Sequence, residues 1–218
     1  MEMEKITNIS HGTDEWRRAR YGKFTPSELH RLMAEPRVKT EVLSQGAITY
    51  VKEKVCEVLI GEFNNQNDFS NAATAWGNSY EDEAINLFSD LHDVEIIKPG
   101  LINHNDYFCG TPDGISKDKS FGIEVKCPYN PSIHLDNVLL NEEDFKKARK
   151  DYYYQILGYS ILTGIKDWYF VSYDPRTTDK LRLSYLKINR NEEDVTNIQK
   201  KLKVANYYKQ SLLNQLNK

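Results

Sequence analysis

Within the stretch CGTPDGISKDKSFGIEVKCP, residues 109–128, an aspartate, Asp113, is followed after ten intervening residues by Glu124 and then Lys126. Glu124 and Lys126 alternate with Ile123, Val125 and Cys127. A strand sends successive side chains to opposite faces. The acid and the lysine therefore share one face, and the three apolar residues share the other. With the apolar set buried in a sheet, the polar pair is held rigidly on the opposite side. Asp113-Gly114 is a turn signal, so the chain is expected to double back there and bring Asp113 alongside Glu124. Two carboxylates and an ammonium at one sheet edge suit a hard divalent cation beside a water. Mg²⁺ takes oxygen ligands, usually one or two carboxylates with waters and substrate phosphate. A lysine next to it can orient or deprotonate the attacking water and neutralise charge developing on a phosphate. The bland alternative is a solvated hairpin face, and the rest of the chain must decide.

The flanking elements follow from local patterns. Thr13 or Asp14 can cap a first helix, with Trp16 and Ala19 on its inner face, Arg17, Arg18 and Arg20 on a basic side, and Tyr21-Gly22 at its end. A second helix is expected from Thr25, with Pro26 in the first helical position and Glu28 completing a capping box. Such an N-terminus, preceded by an arginine, could cradle a phosphate; the competing reading is a surface helix pair. Ala47, Ile48, Val51, Val55, Val58 and Leu59 have helical spacing, and Gly61 closes that helix. The polar segment Asn64–Asn71 reads as a loop. A helix over about residues 73–91 carries Trp76, Tyr80, Ala84, Leu87, Phe88 and Leu91 as a stripe, with Glu81 at its edge. Gly77 costs about 1 kcal/mol there relative to alanine, which suggests close approach of another group.

Strands are expected over 94–97, 101–104 and 107–109, leading into the acidic motif. Residues 128–150 read as loop followed by a charged helical segment, 142–150. YYYQILGYSILT, residues 152–163, reads as a helix that places Gln155 on a face with Tyr152 and Tyr159. Residues 168–173 and 181–188 are strand-like around the turn Asp174-Pro175-Arg176. A final helix, about 191–216, has Val195, Ile198, Leu202 and Ala205 inside. This is a mixed α/β order around one central sheet. It reads as a single domain over 1–218: N-terminal helices about 12–60, a core about 73–188 and the C-terminal helix.

Composition is that of an ordinary globular chain, with 218 residues, 39% hydrophobic and 28% charged. No apolar run approaches the ~20 residues of a membrane span, and MEMEKITNIS lacks a signal-peptide core. Cys56, Cys109 and Cys127 lack the number and spacing of a zinc or iron–sulfur site and suit reduced thiols in cytoplasm. A net charge of −3 argues against nonspecific coating of nucleic acid, although 29 Lys and Arg leave enough positive charge for a local channel. His11, His30, His92, His104 and His134 show no ligand spacing.

Pro112-Asp113, then Glu124-Val125-Lys126, resembles the PD-(D/E)XK nuclease superfamily. More specifically, the chain resembles the phage lambda exonuclease family, the phage-type alkaline exonucleases or viral recombinases. The resemblance covers most of the chain, through GTDEWRRARYGKFTPSELHRLMAEPR (12–37), WGNSYEDEAINLF (76–88), GTPDG (110–114), IEVKCP (123–128), YYYQILGY (152–159) and WYFVSYDPR (168–176).

It implies a restriction-endonuclease-like α/β core, a central mixed sheet flanked by helices. Asp113 and Glu124 would be metal carboxylates, the Val125 carbonyl a further ligand, and Lys126 the group that activates or orients water. Glu81 would hold a second metal or a metal-bound water; Gln155 would be the glutamine of the following helix, supported by Tyr154. Arg20, Thr25 and Ser27 match the region that receives the DNA 5′-phosphate. The implied cofactor is Mg²⁺, with Mn²⁺ as substitute and two ions per site. The implied activity degrades one strand of linear double-stranded DNA from 5′ to 3′ to mononucleotides. The remaining 3′ strand would pass to a single-strand annealing protein. A homotrimer ring and a phage or prophage gene acting in bacterial cytoplasm complete the expectation. Residues 129–149 depart from the family pattern and leave Lys146, Lys147 and Arg149 as channel candidates only.

Two other readings remain. A restriction- or repair-type endonuclease would cut closed circles. A catalytically silent DNA-end-binding module would have no need of Asp113, Glu124, Lys126, Glu81 and Gln155 together.

Overall fold

The segment Phe121–Lys126 is the middle strand of a five-stranded sheet in the computed structural model, which describes residues 7, 9–61 and 72–217. The loop read over 64–71 lies outside the described residues. In chain order come α1 (Asp14–Arg20), a 3₁₀ turn (Pro26–Glu28), α2 (Leu29–Leu32), α3 (Gln45–Ile60) and α4 (Ala72–His92). The strands β1 (Ile96–Ile97), β2 (Ile102–Asn105), β3 (Phe108–Gly110), β4 (Gly114–Ser116) and β5 (Phe121–Lys126) follow. Then come α5 (Pro131–Val138), α6 (Glu142–Ala148), α7 (Lys150–Thr163), β6 (Asp167–Tyr173), α8 (Asp179–Arg182), β7 (Leu183–Asn189) and α9 (Glu192–Leu216).

The sheet runs β1-β4-β5-β6-β7, with β5 and β6 parallel and the other neighbours antiparallel. β2 and β3 form a separate ladder. A parallel pair needs a long crossover, and α5, α6 and α7 supply it. The architecture is the expected α/β one, a mixed sheet between helices.

β5 is buried on both faces. Ile123, Val125 and Cys127 pack with Ala84, Ile85 and Phe88 of α4, as the alternation predicted. The opposite face turns toward α7, whose residues Tyr153–Leu162 are buried. α7 joins α2, α3 and α9 in the larger core through Leu29, Leu32, Val51, Ile156, Ile198 and Leu202. Val195, Ile198, Leu202 and Ala205 all point inward from α9 as expected.

Several local expectations change. The turn into β5 lies after β4, not at Asp113-Gly114: Lys119 is left-handed at φ 63°. There the Asp118 carboxylate accepts from the Ser120 N–H at 3.0 Å. The capping box at Thr25 is not formed. Thr25 has extended backbone but caps nothing with its side chain, and the helix is a 3₁₀ turn followed by the four-residue α2. Glu28 instead pairs with Arg31 at 2.9 Å. Pro26 favours the first position, but so short a helix carries little dipole. Residues 131–138 form a helix where loop was expected, capped by Asn130 and started by Pro131. Val58, Leu59, Leu87 and Leu91 are exposed despite their apolar spacing.

Gly77 also departs from expectation. A Cβ there would meet nothing within 4 Å among the described residues. Its mid-helix backbone then carries only the entropic penalty of glycine. Gly77→Ala is expected to raise unfolding stability by about 1 kcal/mol. Urea melts would check this, and a loss of stability would show that space at Gly77 is needed.

Candidate active site

Three residues of the acidic motif meet because β4 and β5 pair in one register. Gly114 lies opposite Ile123, so Asp113 arrives beside Glu124. Asp113 Oδ2 accepts the backbone N–H of Val125 at 2.7 Å. Glu124 is 0% exposed, and Lys126 Nζ contacts its Oε1 at 2.5 Å. The other oxygen, Glu124 Oε2, is buried and accepts no donor among the described residues, while the Asp113 carboxyl lies within hydrogen-bonding reach of the Glu124 carboxyl. Leaving such a group unsatisfied costs roughly 1–3 kcal/mol or more, which points to a ligand. Lys126 keeps part of its side chain exposed and lies 5.2 Å above the Tyr152 ring.

The electrostatics agree with this packing. Burial, reinforced by Asp113, pushes the Glu124 carboxyl up to about 8, against the pull of Lys126. Asp113 is also raised, first by burial, with Lys126 opposing. Burial pulls Lys126 down, but Glu124 and Asp113 outweigh it and hold the ammonium above the ordinary lysine range. Two adjacent buried carboxyls cannot both ionise cheaply without a neutralising partner. A close pair of hard oxygen donors fits Mg²⁺ or Mn²⁺.

Glu81 projects from α4 into a cleft of about 900 Å³ that also takes in His11, Arg17, Lys98, Asp113 and Lys119. It pairs with Lys98 at 2.8 Å, and Lys98 also holds Asp82. Among the described residues, no three His, Cys, Asp or Glu side chains gather as a ready cage. Asp113 and Glu124 form the close pair, and Glu81 stands in the adjoining cleft.

Gln155 is buried on α7 and donates to Tyr159 Oη at 3.1 Å. Tyr159 in turn donates to the Thr111 carbonyl at 3.1 Å, and Trp16 Nε1 donates to Thr111 Oγ1 at 2.9 Å. This chain links α7, the segment before Asp113, and α1. The sequence places Tyr159 on a face with Gln155, four residues apart, and gives no further signal of this bond. Tyr154, expected as the support of Gln155, is buried beside it on α7 with its ring against Tyr153.

The N-terminal residues are placed separately. The Arg20 guanidinium stacks 3.9 Å over the Trp16 ring, and its buried Nε has no hydrogen-bond partner among the described residues. Thr25 is buried, with its hydroxyl 3.3 Å from that of Ser27. Of the channel candidates, Lys146 pairs with Asp194 at 2.6 Å and Arg149 binds Asn137 at 2.7 Å. The Lys146 side chain stays about half exposed in that pair. His134 is a core residue, bonded to Ser172 at 2.9 Å and to the Leu181 carbonyl at 2.8 Å. Cys56, Cys109 and Cys127 are all unpaired thiols.

The YqaJ-like viral recombinase domain model matches residues 15–166 of the chain. An alkaline exonuclease (LHK-Exo) from Laribacter hongkongensis has TM-score 0.76 and 25% identity, over 94% of this chain and 96% of its own. The structure of LHK-Exo in complex with dAMP matches with TM-score 0.76 and 26% identity over the same shares. A phage related exonuclease from Haemophilus somnus 129PT shares the fold, with TM-score 0.72 and 22% identity over 89% of this chain and 96% of its own. Comparison with curated proteins gave no match.

Proposed function

The chain belongs to the YqaJ-like viral recombinase domain family, and on that premise we propose a metal-dependent exonuclease acting from 5′ to 3′ on linear double-stranded DNA. Its family and its likeness to the alkaline exonuclease make it a nuclease. The observation that carries the finer reading is the buried Asp113–Glu124 pair beside Lys126, with one carboxylate oxygen that takes no donor among the described residues.

Asp113, Glu124, the Val125 carbonyl and Glu81 would hold Mg²⁺, or Mn²⁺ in its place, with two ions per site. Bound there, the cations would supply water activation and stabilisation of the leaving oxygen. Lys126, kept as an ammonium by Glu124 and Asp113, donates to the attacking water or to charge growing on the phosphate. Gln155 is fixed by Tyr159 and offers its amide to the same region. Arg20 supplies a guanidinium for a terminal 5′-phosphate, its Nε donor unspent among the described residues, with the Thr25 and Ser27 hydroxyls as further donors.

The proposal extends to a single nuclease domain over the chain and a ring of three subunits. Such a ring reconciles a net charge of −3 with DNA binding, because only its lining need be positive. It also includes release of mononucleotides, delivery of the 3′ strand to a single-strand annealing protein, and action in the bacterial cytoplasm from a phage or prophage gene. Among the described residues, no helix is long and apolar enough to cross a membrane.

Digestion of three DNAs in Mg²⁺ tests the reading: linear duplex with 5′-phosphates, the same duplex with 5′-hydroxyls, and a closed circle. Mononucleotide release from the first, with the circle intact, is the expected result. Arg20→Ala is expected to lower kcat/KM on the phosphorylated end roughly 10–100-fold, the loss of a charged phosphate contact. Cutting of the circle would move the protein to the endonucleases. Absence of digestion in Mg²⁺ and Mn²⁺ would make it a silent end-binding module.

A further inference from the structure

Gly22 follows the turn that ends α1, two residues after Arg20, and both of its backbone groups are held by charged side chains from distant helices. Its N–H donates to Glu57 Oε2 on α3 at 2.8 Å. Its carbonyl accepts from Lys209 Nζ on α9 at 2.5 Å. Glu57 is itself paired with Lys54 at 2.7 Å. Lys209 is only 3% exposed, and its ammonium lies over the Phe24 ring. Gly22 takes a left-handed φ of 68°, and a Cβ there would sit 2.3 Å from the Val58 side chain. The turn is thus closed against α3 and pinned from two sides.

We propose that Lys209 and Glu57 are positioning residues that hold the Gly22 turn, and through it Arg20, for recognition of the phosphate at a 5′ DNA end. The inference rests on the reading of Arg20 given above. Burying an ammonium to grip one carbonyl costs more than a neutral donor would, so the placement of that carbonyl matters. The turn also transmits position. Lys23 N–H donates back to the Arg20 carbonyl at 3.0 Å. Phe24 then bonds across to Tyr107 and Cys109 at 2.8 and 3.2 Å, tying the segment to the ladder that leads to Asp113. α9, which carries Lys209, lies beyond the matched residues 15–166.

The groups facing Lys209 are Lys54 and Glu57 from α3 and Lys23 from the turn. Burial, then Lys54, lowers its ammonium to about 8, with Glu57 opposing and Lys23 adding to the effect. A neutral amine grips a carbonyl less strongly than an ammonium. The phosphate preference of the native enzyme should therefore decline as pH rises through about 8.

The experiment measures kcat and KM for 5′-phosphorylated and 5′-hydroxyl duplexes with the full-length native enzyme, Lys209→Met, Lys209→Arg and Glu57→Gln, from pH 7 to 10. For Lys209→Met the ratio of kcat/KM values, phosphorylated over hydroxyl, is expected to fall roughly tenfold, through KM. Lys209→Arg should restore the ratio and make it independent of pH. Glu57→Gln keeps an acceptor for the Gly22 N–H but removes its charge, which weakens the other half of the grip without emptying the cationic site, and should lower the ratio roughly threefold. Equal losses on both substrates, or a lower melting temperature with an unchanged ratio, would overturn the proposal and leave a plain structural staple. A native enzyme with no phosphate preference would overturn the Arg20 reading itself, an outcome visible before any variant is made.

Discussion

Lys126→Ala is expected to slow phosphodiester cleavage by roughly 10²–10⁴-fold while duplex affinity stays within about threefold. The argument rests on where its charge is held. Lys126 Nζ touches Glu124 Oε1, sits over Tyr152, and retains an exposed edge through which a substrate can reach it. On the proposed reading alanine removes the donor to the reacting phosphate, and it also strips Glu124 of the cation that favours its ionised form. Lys126→Arg should rescue poorly, since a planar fork cannot occupy the position of a compact ammonium. Single-turnover cleavage in Mg²⁺, alongside DNA binding in Ca²⁺, separates chemistry from association. Turnover retained in the alanine variant would take Lys126 out of the mechanism.

The affinity for Mg²⁺ should rise with pH until about pH 8 and then level off. Glu124 is held up to about 8, first by burial and then by Asp113, whereas an unfolded glutamate titrates near ~4.3. Between these values the cation-free folded protein holds a proton that the unfolded chain has released. The stability linked to that proton is complete below about pH 4 and disappears as pH climbs through about 8. On the proposed reading a cation would take over the neutralising role, so its binding would displace the proton, and apparent affinity should drop about tenfold per pH unit below 8 for one proton displaced. Melting temperatures with and without Mg²⁺ at pH 6 and 8.5 measure this, with the larger Mg²⁺-induced rise expected at 8.5. Glu124→Gln should abolish that rise and lower cleavage by at least roughly 10³-fold. A Glu124→Gln protein that still gains stability from Mg²⁺ would sink the assignment of the ligand.

What the chain alone disclosed was local. The alternation from Ile123 to Cys127 separated the apolar side of β5 from the side of Glu124 and Lys126, because strand periodicity depends only on neighbours. The capping hydroxyl of Thr13, the left-handed Gly61 and the inner stripe of α9 were legible for the same reason. The placement of the turn into β5 was not, because Asp113-Gly114 is a turn sequence in general and Lys119 is not one.

Only the tertiary structure decided what the site is physically. Glu124 is buried rather than solvated because α7, about thirty residues further on, covers its side of the sheet. Tyr159 holds Gln155 and Thr111, Lys98 meets Glu81 from beyond the end of α4, and Lys209 reaches Gly22 across 187 positions. Residue type and periodicity report which face of an element is buried. They do not report which charged group from a distant element will meet that face, since topology sets that pairing and with it the desolvation that shifts the carboxyl of Glu124.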